Sequence, residues 1–364
     1  MSVPGFKKID RYIIKKFITT FLIALLFMIL IIIIFDISEK VDDFVGRHAP
    51  LRAIIFDYYA NWIPYFVNMF SPLFVFITVI FFTSMLASKC EIIAILSCGV
   101  SYKRMLLPYM ISAFMVFLLS LSLNLWIIPR SNVQRIKFEQ TYVGKKKQNN
   151  NTNVHYQIDT GKFVYVQSFT SWDNTANNFT LEEIKDNRII SKLSAEKAQW
   201  DSTQGCWKLK NWFIRDYGEG LGDNVRTGAV MDTVINLTVT DFYRNKKTVE
   251  TLPLGQLNEL IKTQNMRGDP NVMYANLEKH QRFTLPFSVF ILTIMGVCLS
   301  SRKRRGGIGL NIGIGIALSF TYILFLRFSE MFVYSGTMSP GIALWLPNVV
   351  FGIVAVILYR KASR

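Results

Sequence analysis

Charged residues are spread unevenly along the chain, and the gaps between them set its outline. Lys16 to Asp36, Asp57 to Lys89, Arg104 to Arg130, Arg282 to Arg302, Arg305 to Arg327 and Glu330 to Arg360 each enclose at least 19 uncharged, mostly apolar residues. At a helical rise of 1.5 Å per residue, about 20 residues cover a hydrocarbon core of about 30 Å. A charge at mid-membrane costs roughly 3 kcal/mol, so six gaps this clean point to insertion. The pattern predicts six membrane-spanning helices, three on either side of a central region, about Arg135 to Lys279, where charges recur every few residues.

The first apolar run, "FITTFLIALLFMILIIIIF", is longer than a signal-peptide core and leads into "DISEKVDD" without a small-residue cleavage site. It is expected to remain as an anchor helix. The second span is placed within about Ile63 to Ser88, started or kinked by Pro64 and Pro72. The third is placed from about Met105 to Ile128, with Pro129 of "IIPR" ending the helix. Gly309, Gly313 and Gly315 give the fifth span small residues suited to close helix packing, within the chain or between chains.

In the central region the period changes to two. Residues 161–169, 177–184, 195–202, 206–217 and 234–242 are short β-branched or aromatic runs separated by "DN", "TQG" and "GEGLGDN" turns, which predicts an all-β sandwich or jelly roll. "GKKKQNNNTN" reads as a hairpin tip. "PLGQLNELIKTQ" (253–264) then reads as an amphipathic helix broken by "RGDP", and the fourth span's helix is expected to begin near Asn271. The fold class is therefore an α-helical membrane protein of six spans with a jelly-roll-like β domain inserted between helices 3 and 4. Its divisions are 1–134 for helices 1–3, 135–250 for the β domain, and 251–364 for a connecting helix and helices 4–6.

Basic residues in the short segments give an orientation. With a cytoplasmic N-terminus, that side receives Lys7, Lys8, Arg11, Lys15 and Lys16, then Lys89, Lys103 and Arg104, then Arg302, Lys303, Arg304 and Arg305, and finally Arg360, Lys361 and Arg364. The other side receives only Lys40, Arg47 and Arg52 in its short loops. Both termini are then cytoplasmic, and the β domain is periplasmic in a Gram-negative cell. The net charge of +16 is carried largely by these flanks, next to anionic lipid, and needs no nucleic-acid partner. Of the four cysteines, Cys90, Cys98 and Cys298 fall at cytoplasmic helix ends and leave Cys206 without an oxidising-side partner, so no disulfide is expected.

Signatures of chemistry are missing from the sequence. There is no GxxxxGK[ST], GxSxG or HExxH, and His48, His155 and His280 lie on separate elements at no metal-ligand spacing. No catalysis, metal or cofactor is expected in this chain. The short segment "CEIIAILSCGVSYKRM" (90–105), between the second and third spans, is different. Ile92, Ile93, Ile95 and Leu96 form an apolar cluster beside Glu91, with Gly99 as a helix stop. Such a helix can lie on lipid headgroups or insert into a groove of a cytoplasmic protein. Its polar face offers an acid and small residues rather than Lys or Arg, which favours a protein.

The connector "KCEIIAILSCGVSYKRM", together with "IDRYIIKKFITTF", "NLWIIPRSN", "SAEKAQWDSTQGCWKLKNW" and "LEKHQRFTLPFSVFIL", resembles the lipopolysaccharide-export permeases LptF and LptG over nearly the whole chain. The resemblance implies a non-catalytic membrane subunit of an ABC transporter in the bacterial inner membrane. It implies an LptF/LptG pair over an LptB-like ATPase dimer, which alone uses ATP and Mg, and an LptC-like periplasmic protein that receives lipopolysaccharide. Substrate is implied to enter between the first and fifth helices. In that scheme the connector is the coupling helix, with Glu91, Ile92, Ile95, Leu96 and Gly99 facing the ATPase.

Lipid A phosphates call for basic residues near the periplasmic mouth, for which Lys40, Arg47, Arg52, Arg130 and Arg135 are the candidates, each alternatively an interfacial charge. Asp36 stands where family members often carry a basic residue. Arg327 and Glu330 form a gate pair or a simple i,i+3 ion pair. Phe163, Tyr165, Trp200, Trp207 and Trp212 are placed on the inner face of the β domain, as core or as an acyl-chain groove. A membrane-anchored envelope sensor with a periplasmic β domain is the alternative reading.

Overall fold

The computed structural model describes residues 8–143, 151–170, 173–202, 204–218, 222–235, 237, 239–242, 249–269, 271–302 and 307–363. The "GKKKQNN" part of the expected hairpin tip and the basic residues Lys303, Arg304 and Arg305 lie outside the described residues. The chain divides into two compact units, residues 1–143 with 276–364, and residues 144–275.

The membrane unit holds α1 (Lys8–Gly46), α2 (Leu51–Ser88), the short α3 (Glu91–Ser97) and α4 (Tyr102–Tyr142) before the insert. After it come α7 (Val272–Ser300), α8 (Gly307–Tyr334) and α9 (Pro340–Ala362). Among the described residues six helices are long and apolar enough to cross a bilayer, as expected. Several outlast their apolar runs. At 39 residues, α1 is about 58 Å long and carries "DISEKVDD" as helix.

The second span also starts earlier than predicted. It opens at Leu51 and passes through a π turn at Ile54–Tyr59, because Tyr58, Tyr59 and Trp62 are buried against α1 and α4 and hold those turns in place. Pro129 does not end the third span, contrary to expectation. Proline lacks the N–H that would bond to the carbonyl four residues back, and its ring presses on that carbonyl. A π turn at Leu123–Ile127 widens the backbone just ahead of it, and the helix continues to Tyr142.

The core of this unit collects Ile13, Phe17 and Phe21 of α1, Val79 and Phe82 of α2, Tyr109 of α4 and Val289 of α7. Phe82 stacks on Tyr109 with ring centroids 5.3 Å apart. Helices in lipid gain little from apolar burial and associate through close packing. Two glycines supply it. A Cβ at Gly296 would come within 2.9 Å of Val79, and one at Gly315 within 2.4 Å of Ile80. Gly309 and Gly313 have open space around them, so of the three glycines singled out in α8 only Gly315 makes a close approach.

The inserted unit is the expected antiparallel β domain. Strands β1 (Asn151–Asp159), β2 (Lys162–Thr170), β3 (Thr175–Lys185), β4 (Arg188–Asp201), β5 (Cys206–Asp216) and β6 (Asn224–Thr233) form one sheet in sequence order. The "DN" turn is a two-residue hairpin loop with Asp186 at φ 49° and Asn187 at φ 63°, the primed geometry that matches strand twist.

The described residues of 234–242 do not form a strand. Ile235, Leu237, Val239 and Phe242, the last two within the single turn α5 (Val239–Phe242), are buried against the sheet instead, and the Trp207 indole donates to the Leu237 carbonyl at 2.8 Å. The inner face also differs from expectation on β2. Val164 and Val166 point inward, so the pleat turns Phe163 outward, while Trp200, Trp207 and Trp212 belong to the core cluster. The predicted amphipathic helix is α6 (Leu254–Arg267), ended by Gly268 at φ 62°. Its Leu257, Leu260 and Ile261 are buried with Val249 and Ala275.

Candidate functional site

Two places in the membrane unit gather the residues that carry the chemistry. The first surrounds α3. Cys90 takes a left-handed conformation (φ 59°) to turn the chain out of α2, and Gly99 (φ 82°) does the same at the far end, where its N–H bonds to the Leu96 carbonyl. The helix Glu91–Ser97 is only seven residues long, and it is two-sided. Ile92 is buried and Leu96 packs beside it in the bundle core, four residues on. Ile93, Ala94, Ser97 and Cys98 face out, and Ile95 is half-buried. The outward apolar residue is therefore Ile93, while Ile92 is taken up by the chain's own helices.

Two contacts tie this segment to the start of α1. The Tyr12 hydroxyl donates to Glu91 Oε2 at 3.1 Å. Arg104, in the first turn of α4, forms a bidentate pair with Asp10, donating from Nη1 at 2.8 Å and from Nη2 at 2.6 Å. Asp10 itself is buried. Sequence reasoning passed over both Asp10 and Tyr12. The available signal was that Asp10 is the one acid among the basic residues of "KKIDRYIIKK".

The second place lies at the other end of α1. Lys40 Nζ is 2.5 Å from Asp36 Oδ1 and also donates to the Tyr58 hydroxyl. Tyr58 and Tyr59 donate to the two oxygens of Asp36, at 3.2 and 3.0 Å. Phe44, Trp62 and Phe138 close an aromatic box, with the Lys40 ammonium 4.8 Å from the Tyr58 ring centre and 5.7 Å from that of Trp62. Asp36, the departure noted in the sequence, thus neutralises Lys40.

The remaining basic candidates separate by exposure. Arg135 is buried, with Nε 3.6 Å from Glu139 and its guanidinium 5.1 Å from the Tyr65 ring centre. Arg47 is partly exposed and donates to the Thr141 carbonyl. Arg52 and Arg130 are exposed. Five candidates spread over α1, the α1–α2 connection, α2 and α4 therefore present an outward group of three arginines and an inward pair, Lys40 and Arg135.

On α8, Arg327 and Glu330 are joined at 3.0 Å. Glu330 is buried and also accepts from Gln281 of α7 at 2.6 Å, so the pair is linked to a second helix. A buried polar chain runs nearby in sequence. Ser120 donates to Asn68, Asn68 to Asn124, and Asn124 to the carbonyl of Arg282, whose Nε pairs with Glu278 at 2.9 Å. Among the described residues no group of three or more His, Cys, Asp or Glu is arranged to hold a metal ion.

No curated protein matches the chain. The family described as lipopolysaccharide export system permease LptF/LptG matches residues 11–361, which takes in all six spans, α3 and the β domain. With nearly its whole length matched, and with the β domain inserted between the third and fourth spans, this chain belongs to the LptF/LptG family of lipopolysaccharide export permeases.

Proposed function

We propose that this chain is one half of an ATP-driven permease that draws lipopolysaccharide out of the bacterial inner membrane and passes it to a periplasmic bridge. In this reading both termini and α3 face the cytoplasm and the β domain is periplasmic. The basic residues support that orientation: Lys8, Arg11, Lys15, Lys16, Lys89, Lys103, Arg302, Arg360 and Lys361 fall on the α3 side of the spans. An LptB-like ATPase dimer supplies the energy, a paralogous half or second copy completes the membrane channel, and an LptC-like protein receives the lipid.

The observation that carries the reading is the two-sided character of α3. It is fixed to the bundle through Ile92 and Leu96 and presents Ile93 outward, so a protein that grips the outer face moves the spans on either side. The exposed Arg52 and Arg130 and the partly exposed Arg47 are the residues assigned to the lipid A phosphates, since a bidentate guanidinium suits a phosphate oxygen pair. Lys40 and Arg135 support them from within. Arg327, half-exposed and held by Glu330, is assigned to the gate on α8.

The test is reconstitution of the chain with its ATPase in proteoliposomes. Lipopolysaccharide should stimulate ATP turnover. Ile93→Asp should weaken ATPase binding by about tenfold or more, the scale of a lost apolar anchor at an interface. Turnover that responds fully to lipopolysaccharide in the Ile93→Asp protein would remove α3 from the mechanism.

A further inference from the structure

We propose that the Asp10–Arg104 ion pair is the positioning contact that hands a displacement of α3 on to the first span, and so sets how much lipopolysaccharide moves per ATP. The inference rests on the reading of α3 as the ATPase lever. Neither residue is assigned a contact with the ATPase or the lipid.

The argument begins with connectivity. Moving α3 pulls directly on α2 and α4, because the chain runs through them on either side. Its covalent route to α1 runs the whole length of α2 and through the α1–α2 connection, which joins the Gly46 end of α1, so the Asp10 end must be reached through side chains. Apolar packing of Ile13 and Phe17 against the α3–α4 region supplies proximity. Packing between helices in lipid is not directional, however, and lipid can replace it. A bidentate guanidinium–carboxylate pair is directional, since two parallel N–H···O bonds fix both distance and orientation.

The pair's place in the fold suits that task. Arg104 sits in the first turn of α4, where the Ser101 hydroxyl accepts its backbone N–H at 3.3 Å, so its position follows the end of the connector. Asp10 is buried on the first turn of α1. Tyr12, two residues on, holds Glu91 at the opening of α3, so both ends of the connector are tied to one stretch of α1. Four ion pairs among the described residues work differently. Lys40–Asp36, Arg135–Glu139, Arg282–Glu278 and Arg327–Glu330 each close within a single helix, whereas Asp10–Arg104 joins two spans.

The consequence is a tilt. At its other end α1 is fastened to α2 through Asp36, about 39 Å further along the helix. Between these fastenings, Leu22, Leu26, Leu30 and Ile34 lie on an exposed apolar face. Displacing the Asp10 end while the Asp36 end stays fixed swings that face.

The test uses the full chain reconstituted with its ATPase in vesicles containing lipopolysaccharide, and reads ATP turnover and lipopolysaccharide extracted per ATP. Asp10→Asn and Arg104→Gln should each lower extraction per ATP by about tenfold, the scale of a modest coupling free energy, while turnover falls far less. The swapped variant, Asp10→Arg with Arg104→Asp, should recover most of the ratio. Thermal unfolding of each protein controls for a fold defect.

Extraction per ATP within about twofold of the parent in both single variants overturns the proposal. So does a parallel fall of turnover, extraction and thermal stability that the swap leaves unrepaired, which is what a merely structural pair would give. A parent protein whose ATPase ignores lipopolysaccharide overturns the lever reading and this inference with it. Coupled parent and equally coupled variants overturn the inference alone.

Discussion

At the α3 end of α1, Asp10 reaches across to Arg104 of a different span. At the opposite end, Asp36 bonds to Lys40 one turn along its own helix and to the hydroxyls of Tyr58 and Tyr59 on α2. Both aspartates are buried, yet their surroundings differ. Arg104 is about a quarter exposed and has a long stem, so its head can reach water without Asp10. Lys40 is enclosed by aromatic rings and depends on Asp36 for its counter-charge. One end is a contact between helices that can be remade, and the other is a closed polar core.

Removing each carboxylate gives the largest test of that difference. Asp36→Ala should destabilise the detergent-solubilised protein by about 3 kcal/mol, because it strands a part-buried ammonium. Adding Lys40→Met should recover most of the loss. Asp10→Ala should cost only about 1 kcal/mol, the value of a partly solvated pair. Equal shifts in thermal unfolding for the two alanine variants would erase the distinction.

The tyrosines sharpen it on a smaller scale. Tyr59→Phe removes a buried hydrogen bond to a charged carboxylate and should cost about 2 kcal/mol. Tyr12→Phe removes one at an exposed site and should cost under about 1 kcal/mol, read from the same unfolding curves.

A third aspartate, in the β domain, shows what the same group does in water. Asp216 accepts from the Ser191 hydroxyl at 2.7 Å and from Arg226 at 2.8 Å, and these partners hold its carboxyl below the usual range. The unfolded chain takes up the proton at higher pH than the folded one. The pair's contribution is therefore present above the ordinary carboxylate pKa of about 4 and fades as pH falls through the lower folded value. Asp216→Asn should slightly flatten the acid limb of stability against pH, the smallest of these effects.

The membrane spans were legible because each is a run without charge, and a charge in hydrocarbon is expensive. Their ends were less so. An uncharged gap marks where a helix leaves the bilayer, but α1 and α4 continue as helix outside it, one through "DISEKVDD" and the other past Pro129. The β domain repeats the lesson. β6 carries Gly228 in "NVRTGAVMDT", which reads as poor strand sequence until the Trp212 ring is found so close that a Cβ on Gly228 would lie 2.7 Å from it. Ile235, Leu237, Val239 and Phe242 give their stretch a strand-like apolar content because they cover the sheet.

The connector was legible as a helix with an apolar cluster and a glycine stop. Which of its isoleucines faces outward was not, since that depends on the bundle beneath it. Asp10 carried its meaning only through Arg104, 94 residues away, and no local pattern records such a pairing.

The π turn at Leu123–Ile127 adds a residue to one turn of α4. An α-helix advances about 100° per residue, so the inserted residue turns everything beyond it by about that angle. Ahead of the turn, Ser120 faces Asn68 of α2; beyond it, Phe138 faces Phe44 and Tyr58. Deleting one residue here would therefore shorten the helix very little. It would act as a wrench, rotating Arg135 and Phe138 off their partners while leaving the transmembrane half seated.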